Sequence, residues 1–322
     1  MFRSWSSIRK LALGVSGAAG IQLGAAAVVE KTDDKPKFNL AESDKRLKKK
    51  PEWYQFAVHE LETLIRKFSS YGFIEHEELT SNAILWFERC ADSNNPEILW
   101  RLARAYIEKS KLDIVDNRVH YPEHRDVLLQ KAYEAIKKAL AQEPPQGSAG
   151  AHKWYAIILQ SYIELHPFTA GRKGTALAKQ LAPSDGDVKS EIRAHLNRAA
   201  EIDPKDPFTW HLLGIEYFEL KDYKKAGEYF QKAEDVKPDF SSANRYYLGR
   251  VYMANKEIAK AKEAFLKTLS STPKNKADGR AKSMSKQHLV FDLKLKADEV
   301  ALLGQEDWKY QPELIYDETI KF

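Results

Sequence analysis

A glycine in the middle of a predicted helix constrains the fold more than any other feature of the chain. Residues 207–238 read W-x2-L-G-x2-Y, then A-x3-F-x2-A, then Pro, and the pattern is carried by Trp210, Leu213, Gly214, Tyr217, Ala226, Phe230, Ala233 and Pro238. Glycine in a helix interior costs about 1 kcal/mol relative to alanine. A second helix that packs very closely at Gly214 would offset that cost, so we predict two antiparallel helices in contact there.

The same pattern returns in the next segment of the chain. It is carried by Leu248, Gly249, Tyr252, Ala261, Phe265 and Pro273, with Arg245 at the position that corresponds to Trp210. Helix pairs of this pattern that recur about every 34 residues are typical of the tetratricopeptide repeat (TPR). We therefore predict an all-α, TPR-like helical-repeat solenoid with an N-terminal targeting or anchor segment and a C-terminal capping helix.

Earlier parts of the chain contain more degenerate units with longer turns. Residues 96–106 and 151–159 resemble first helices, and apolar stripes around Ile136 and Leu196 supply their second helices. A first pair is predicted from Trp53 to Ala91, with Cys90 in its core. Beyond Pro273, residues 281–304 are predicted to form one capping helix with Leu289, Leu293 and Ala297 directed inward.

The two ends of the chain differ from the repeats. We predict four regions: a targeting or anchor segment at 1–29, a charged flexible linker at 30–51, the solenoid at 52–304 and a partly packed tail at 305–322. In the first region, Arg3, Arg9 and Lys10 precede the uncharged run from Leu11 to Val29. A mitochondrial presequence, a marginal membrane anchor, a secretory signal and an inert tail all remain open. The single cysteine argues against secretion.

No residue pattern indicates catalysis. The sequence HYPEH (120–124) resembles an inverted zinc-protease motif, but Pro122 separates the histidines and a third ligand is lacking. A net charge of +5 is modest for 322 residues and argues against a nucleic-acid binder. We predict a protein that is not an enzyme, with no cofactor, no metal and no nucleic-acid partner, and with a membrane contact only through its N-terminal segment.

The repeat register predicts a partner groove on the concave side, where first helices line the wall. The predicted exposed positions are Trp100, Arg104, Ile107, Lys153, Ile157, His211, Ile215, Phe218, Tyr246 and Arg250. Basic groups among apolar walls suit an acidic peptide, an acidic protein tail or an anionic phospholipid. The alternative is that C-terminal segments fill the groove and that the basic groups are solvated.

A second candidate surface is a basic patch near the end of the repeats. It comprises Lys274, Lys276, Arg280, Lys282 and Lys286, and continues to Lys294 and Lys296. Only Asp278 and Asp292 oppose it in the sequence. The patch would attract an acidic partner, although such charges often serve only for solvation.

The segments NPEILWRLARAY, HKWYAI, FTWHLLGIEYFE and YYLGRVY make residues 52 to 304 similar to the regulator of microtubule dynamics family. This resemblance implies a cytosol-facing scaffold bound to tubulin and located on cytoplasmic microtubules and the spindle. Some members carry a mitochondrial N-terminal segment, so the resemblance also implies a location at the mitochondrion, on its outer membrane or imported. One member tethers mitochondria to the endoplasmic reticulum and handles phospholipid, which makes a phospholipid-binding module at contact sites the alternative function. Relatives carry an insertion at 219–225, where this chain has a short turn.

Overall fold

The computed structural model describes residues 49–302, except 70, 71, 73, 113, 116, 117, 120 and 121. The predicted targeting or anchor segment at 1–29, nearly all of the linker at 30–51 and the tail at 305–322 lie outside the described residues. Within the described part, the fold is built almost wholly from helices. The helices are α1 (Glu52–Lys67), α2 (Glu77–Cys90), α3 (Pro96–Leu112), α4 (Pro122–Ala141), α5 (Ala149–Leu165), α6 (Ala176–Leu181), α7 (Val188–Ile202), α8 (Pro207–Glu219), α9 (Tyr223–Val236), α10 (Ser242–Ala254), α11 (Ile258–Ser270), α12 (Lys276–Gln287) and α13 (Ala297–Leu302).

Helices that are neighbours in the chain pack in antiparallel pairs, and each pair packs on the next. α3 packs with α4, α5 with α7, α8 with α9 and α10 with α11. First helices also meet across the pairs, since α3 contacts α5 and α8 contacts α10. The short helix α6 lies in the connection between α5 and α7. This arrangement confirms the predicted all-α, TPR-like solenoid.

Glycine and phenylalanine form the close contact within each of the two clearest repeats. A Cβ atom built on Gly214 would lie 2.5 Å from Cδ1 of Phe230, and one built on Gly249 would lie 2.6 Å from Cε1 of Phe265. Both phenylalanines are completely buried. Any side chain on either glycine would have to displace a ring, as the sequence spacing predicts.

The turn between α8 and α9 is the short one expected at residues 219–225. It consists of Leu220, Lys221 and Asp222, and Lys221 adopts a left-handed conformation with φ of 62°. The Asp222 side chain then accepts a hydrogen bond from the Lys225 backbone N–H at 3.1 Å. This bond satisfies one of the free N–H groups at the start of α9.

A small hairpin is the one departure from helix in the described part of the repeats. The two-residue strands β1 (Ile114–Val115) and β2 (Arg118–Val119) pair antiparallel in the connection from α3 to α4. The sequence prediction contained no strand here. The β-branched residues Ile114, Val115 and Val119 favour strands at these positions. The hairpin lies in the connection between α3 and α4, and both helices are present as predicted.

The C-terminal cap is interrupted, so the prediction of one helix over residues 281–304 is wrong. α12 ends at Gln287 and continues as a π-helical segment, His288–Asp292, before the chain turns into α13. The Leu293 N–H donates to the carbonyl of His288 at 2.9 Å, five residues back. Leu289 is buried as expected, whereas Ala297 is exposed.

The first predicted pair begins with an exposed tryptophan. Trp53 is 44% exposed, whereas the adjacent Tyr54 is buried together with Leu61 and Leu64 of the same helix. Cys90 lies half-buried at the end of α2, where burial raises the pKa of its thiol.

Candidate partner groove and basic surface

A groove of about 410 Å³ runs along the side of the solenoid formed by α5, α8, α10 and α12. The sequence register correctly placed first helices along this side. Of the predicted partner positions, the structure brings five to the groove lining: Ile157, His211, Ile215, Tyr246 and Arg250. Three of them, Ile157, His211 and Tyr246, are buried in its wall, contrary to their predicted exposure. Other apolar and aromatic residues complete the wall, among them Leu196, Phe208, Leu212, Tyr247 and Met284.

The basic end of the groove is formed by α10 and α12. The guanidinium carbon of Arg250 lies 4.6 Å from the ring centroid of Phe218 and 5.8 Å from that of Tyr246. Arg280 of α12 lines the same end. Cation–π contacts of this kind hold a guanidinium without neutralising it. Phe218 was predicted to line the groove, but it is not among the lining residues. It contacts Arg250, which does line the groove.

The groove lining also contains three acidic residues, which the sequence analysis did not predict. They are Glu164, Glu216 and Glu219. The buried Glu216 carboxylate lies 3.6 Å from the Lys189 Nζ, and burial raises the pKa of this carboxyl. Because Glu216 follows Leu212 by four residues, the two share a helix face, and this spacing could have predicted Glu216 in the lining. The groove lining therefore carries charges of both signs, and Lys189 pairs with two of its glutamates.

His211 forms part of the groove wall as a neutral aromatic side chain. Its Nδ1 lies 3.1 Å from Oδ1 of Asn244, and its ring stacks on Phe208 with centroids 6.0 Å apart. Phe230 and Phe240 contact the ring from other sides. Burial lowers the pKa of His211 to about 4, so it supplies no positive charge at neutral pH.

Arg104 does not line the groove, and its predicted exposure is wrong. Only 1% of the residue is exposed. Its guanidinium donates to the carbonyls of Phe68 and Gly72, each at 2.9 Å, and pairs with Glu108 at 3.2 Å. These carbonyls follow α1, so Arg104 fixes the connection between α1 and α2 onto α3. The two carbonyl partners are more than thirty residues away, beyond the reach of helix periodicity.

Trp100, Ile107 and Lys153 are also buried, contrary to prediction. Trp100 packs against Gly150, and its ring lies 4.0 Å from the guanidinium carbon of Arg101. The Lys153 Nζ lies 2.6 Å from the carboxylate of Asp206, the residue that caps α8. The positions predicted as exposed near α3 therefore serve to join neighbouring repeats.

The basic patch is an exposed surface, with one correction. Lys274, Lys276, Arg280 and Lys286 are exposed, as are Lys294 and Lys296. Lys282 is buried, and its Nζ donates to the Ser271 carbonyl at 2.7 Å. Its position on the inner stripe of α12, with Ala281, Ser285 and Leu289, explains this placement. We call the six exposed residues the basic surface.

The acidic residues within the basic segment itself are engaged. Asp278 is 1% exposed and accepts hydrogen bonds from the Ser241 hydroxyl at 2.7 Å and the Ala243 N–H at 2.9 Å. It therefore caps α10 from α12. Asp292 is exposed and lies 2.6 Å from the Nδ1 of His288.

Two further acidic residues reach the basic surface. Glu299 lies 3.7 Å from the Lys296 Nζ, and the Glu75 carboxylate accepts a hydrogen bond from the Lys276 backbone N–H at 3.0 Å. The six exposed basic side chains still outnumber these acidic neighbours.

A pair of facing histidines joins α5 to α7 and was missed in the sequence. The Nδ1 atoms of His152 and His195 lie 2.8 Å apart, and Glu143 lies 3.1 Å from the other nitrogen of His152. Burial lowers the pKa of His195 to about 4. Across residues 49–302, as far as described, no group of three His, Cys, Asp or Glu side chains is placed to hold a metal ion. Nor is any described helix long and apolar enough to cross a membrane.

Stacked helix pairs, glycine–phenylalanine contacts and a concave groove define a TPR-like α-helical repeat protein. The family model for regulator of microtubule dynamics protein 1-3 matches residues 60–180 and 221–291, together more than half of the chain. The chain belongs to this family.

Individual relatives agree with that assignment. Regulator of microtubule dynamics protein 1 of Pongo abelii is 30% identical over 190 residues, which cover 52% of this chain and 54% of that protein. Regulator of microtubule dynamics protein 3 of Mus musculus is 27% identical over 206 residues, covering 56% and 37%. The chain thus spans about half the length of the protein 1 relatives that it matches.

Solved structures with a similar fold include TPR proteins. TTC0263, a thermophilic TPR protein of Thermus thermophilus, is 17% identical with a TM-score of 0.46, covering 71% of this chain and 98% of that chain. The pilF protein of Pseudomonas aeruginosa is 13% identical with a TM-score of 0.45, covering 77% and 99%.

Proposed function

We propose that this chain is a non-enzymatic helical-repeat scaffold that associates with microtubules through its basic surface. Family membership supports the first half of this proposal, because the relatives are named for microtubule dynamics. The observation that supports the second half is the set of six exposed basic side chains on and after α12. Among their acidic neighbours, Asp278 is held by Ser241 and Ala243, Asp292 is paired with His288, and Glu299 is paired with Lys296.

The physical basis of such binding is charge attraction to the acidic tails of tubulin. Exposed charges act over about 10 Å at moderate ionic strength, and salt screens them. Several lysines acting together would also speed the encounter with an acidic polymer. Binding through the basic surface must therefore weaken as salt rises.

Co-sedimentation with microtubules tests this proposal. We expect the full chain to pellet at low salt and to be released as salt increases. A triple charge reversal, Lys276→Glu with Lys286→Glu and Lys294→Glu, should reduce pelleting at least about tenfold at low salt. The matched control reverses Lys205, Lys224 and Lys262, which are exposed elsewhere on the solenoid. Equal loss in both variants would reject the basic surface, and no pelleting at low salt would reject the proposal.

A second candidate function is phospholipid binding in the groove. It is favoured by the apolar wall of a groove of about 410 Å³ and by Arg250 and Arg280 at one end, which would suit a phosphate group. Mass spectrometry of lipids that co-purify with the full chain tests it. We expect bound phospholipid in the wild type and its loss in Ile215→Trp, which fills the groove. Absence of lipid from the wild type would exclude this function.

A link to mitochondria is the third part of the proposal and depends on residues 1–29. The early arginines and the long uncharged run support it. Imaging a fluorescent fusion of the full chain with and without residues 1–30 provides the test. We expect the mitochondrial signal to disappear on truncation, and an unchanged distribution would reject targeting by this segment.

A further inference from the structure

An exposed aromatic residue lies beside the basic surface. Phe291 is 67% exposed, although it follows the completely buried Leu289 by only two residues. Single exposed apolar side chains are common on protein surfaces, but aromatic residues are enriched at binding sites, and this one lies in a segment rich in exposed lysines. The feature therefore calls for a physical account.

The π-helical segment His288–Asp292 holds Phe291 outward. The His288 ring stacks on Phe265 with centroids 5.1 Å apart, and Leu289 is buried in the same cluster. Because the Leu293 N–H bonds to the carbonyl five residues back, the turn is widened and Phe291 stays off the core side. The backbone that carries Phe291 is thus anchored by packed neighbours on both sides, and its side chain is directed to solvent.

Lysines outnumber acidic residues near this ring along the chain. Lys286 lies five residues before Phe291, and Lys294 and Lys296 lie three and five residues after it. All three lysines are exposed, as is the adjacent Asp292, which pairs with His288. Lys286 precedes Phe291 on one continuous helical stretch, by roughly 7 Å at about 1.5 Å of rise per residue. Lys294 follows the end of that stretch, and three residues of chain place it at most about 11 Å from Phe291.

We propose that Phe291 is the apolar anchor of the basic surface, and that this surface recognises an acidic protein segment that contains an aromatic residue. The lysines would bind the carboxylates, and the partner's ring would pack on Phe291. This inference deepens the proposed function, because it names the partner chemistry of the same basic surface. The acidic class of partner follows from charge complementarity, and the aromatic preference follows from the exposed ring, on which a second ring can pack.

Two peptides distinguish this recognition from charge attraction alone. The probes are a fluorescein-labelled oligoglutamate with one central tyrosine and the same peptide with alanine at that position. Fluorescence anisotropy with the full chain should show about threefold to tenfold tighter binding of the tyrosine peptide, as expected for one aromatic pair. The preference should persist at a salt concentration that weakens both peptides, because packing is not screened.

Two single substitutions provide the matched comparison. Phe291→Ala should abolish the preference for tyrosine and retain the binding of the alanine peptide. Phe168→Ala, which removes a ring that is 86% exposed in the connection between α5 and α6, should leave the preference unchanged. Since both rings are exposed, neither change should alter the midpoint of thermal unfolding by more than a degree or so.

The results also separate this inference from its rivals. Equal binding of both peptides by the wild type, or a preference that survives Phe291→Ala, would overturn it. The tail at 303–322 carries five acidic residues against two lysines, with Trp308 and Tyr310 among them. If the preference arises only after Trp308→Ala and Tyr310→Ala in the full chain, the tail is the occupant and a partner segment is excluded. A chain that prefers the tyrosine peptide but fails to pellet with microtubules would reject the proposed function alone.

Discussion

The ring of Phe230 lies directly against the backbone of Gly214, so that α9 touches α8 where a side chain is missing. Phe265 repeats this contact on Gly249 in the next helix pair. The contact explains why the chain retains a helix-weakening residue at both places. In these two pairs, the contact also sets the distance between the two helices. That distance in turn determines the positions of α8 and α10 in the groove wall.

Filling the contact at Gly214 should destabilise the fold. In Gly214→Ala the new methyl group would lie within 2.5 Å of the Phe230 ring, which is completely buried. Overpacking of this kind costs about 1–3 kcal/mol, which exceeds the gain in helix propensity of about 1 kcal/mol. Urea unfolding should therefore show a lower midpoint for the variant than for the wild type.

Gly279 provides the control for that substitution. It also lies within a helix, α12, but a Cβ atom there would meet nothing within 4 Å. Gly279→Ala should raise the free energy of unfolding by roughly 0.5–1 kcal/mol. If both glycines respond in the same direction, close packing does not explain Gly214.

Acid should destabilise the fold through its buried histidines. Burial lowers the pKa of His211 from about 6.5 in the unfolded chain to about 4. Between these values the unfolded state binds a proton that the folded state does not, so stability falls as pH falls through this window. The full effect of such a shift is on the order of 3 kcal/mol.

The His211→Gln variant tests this linkage, because glutamine can still donate a hydrogen bond to Asn244. The free energy of unfolding should be measured by urea at neutral pH and at about pH 5. We expect the variant to lose less stability than the wild type over this interval. His195 has a similarly low pKa and remains in the variant, so some loss will persist. Identical losses in the two proteins would contradict the assignment to His211.

The buried pair of Arg104 and Glu108 should behave as a unit. Arg104→Met would leave the Glu108 carboxylate buried without its partner and would free the carbonyls of Phe68 and Gly72. Removing one member of a buried pair costs about 3–5 kcal/mol. In a double-mutant cycle, Arg104→Met with Glu108→Leu should be less destabilising than the sum of the single changes. Strict additivity would show that the pair is not coupled.

The repeats were predictable because their packing follows local spacing. Gly214 and Phe230 stand in a fixed pattern, and that pattern determined both the helix pair and the side that forms the groove. It placed Ile157 and Tyr246 in the groove lining as well. The hairpin after α3 was missed because it lies in a connection, where the repeat pattern exerts no constraint.

The errors at the site arose where distant parts of the chain cover a helix face. Arg104 has the spacing of a groove residue, but the connection after α1 lies over it. Lys153 is neutralised by Asp206, more than fifty residues later. By contrast, Lys282 could have been recognised as buried, because it shares the inner stripe of α12 with Ala281 and Leu289. Charge alone therefore predicted exposure only for side chains that no distant segment buries.

Binding to microtubules from which the acidic tubulin tails have been removed by limited proteolysis tests the account most directly. The account predicts that the dissociation constant of the full chain rises about tenfold or more on removal of the tails. It also predicts that the triple reversal of Lys276, Lys286 and Lys294 causes little further loss on such microtubules. Equal affinity for intact and tail-free microtubules would contradict the claim that the basic surface binds an acidic partner there.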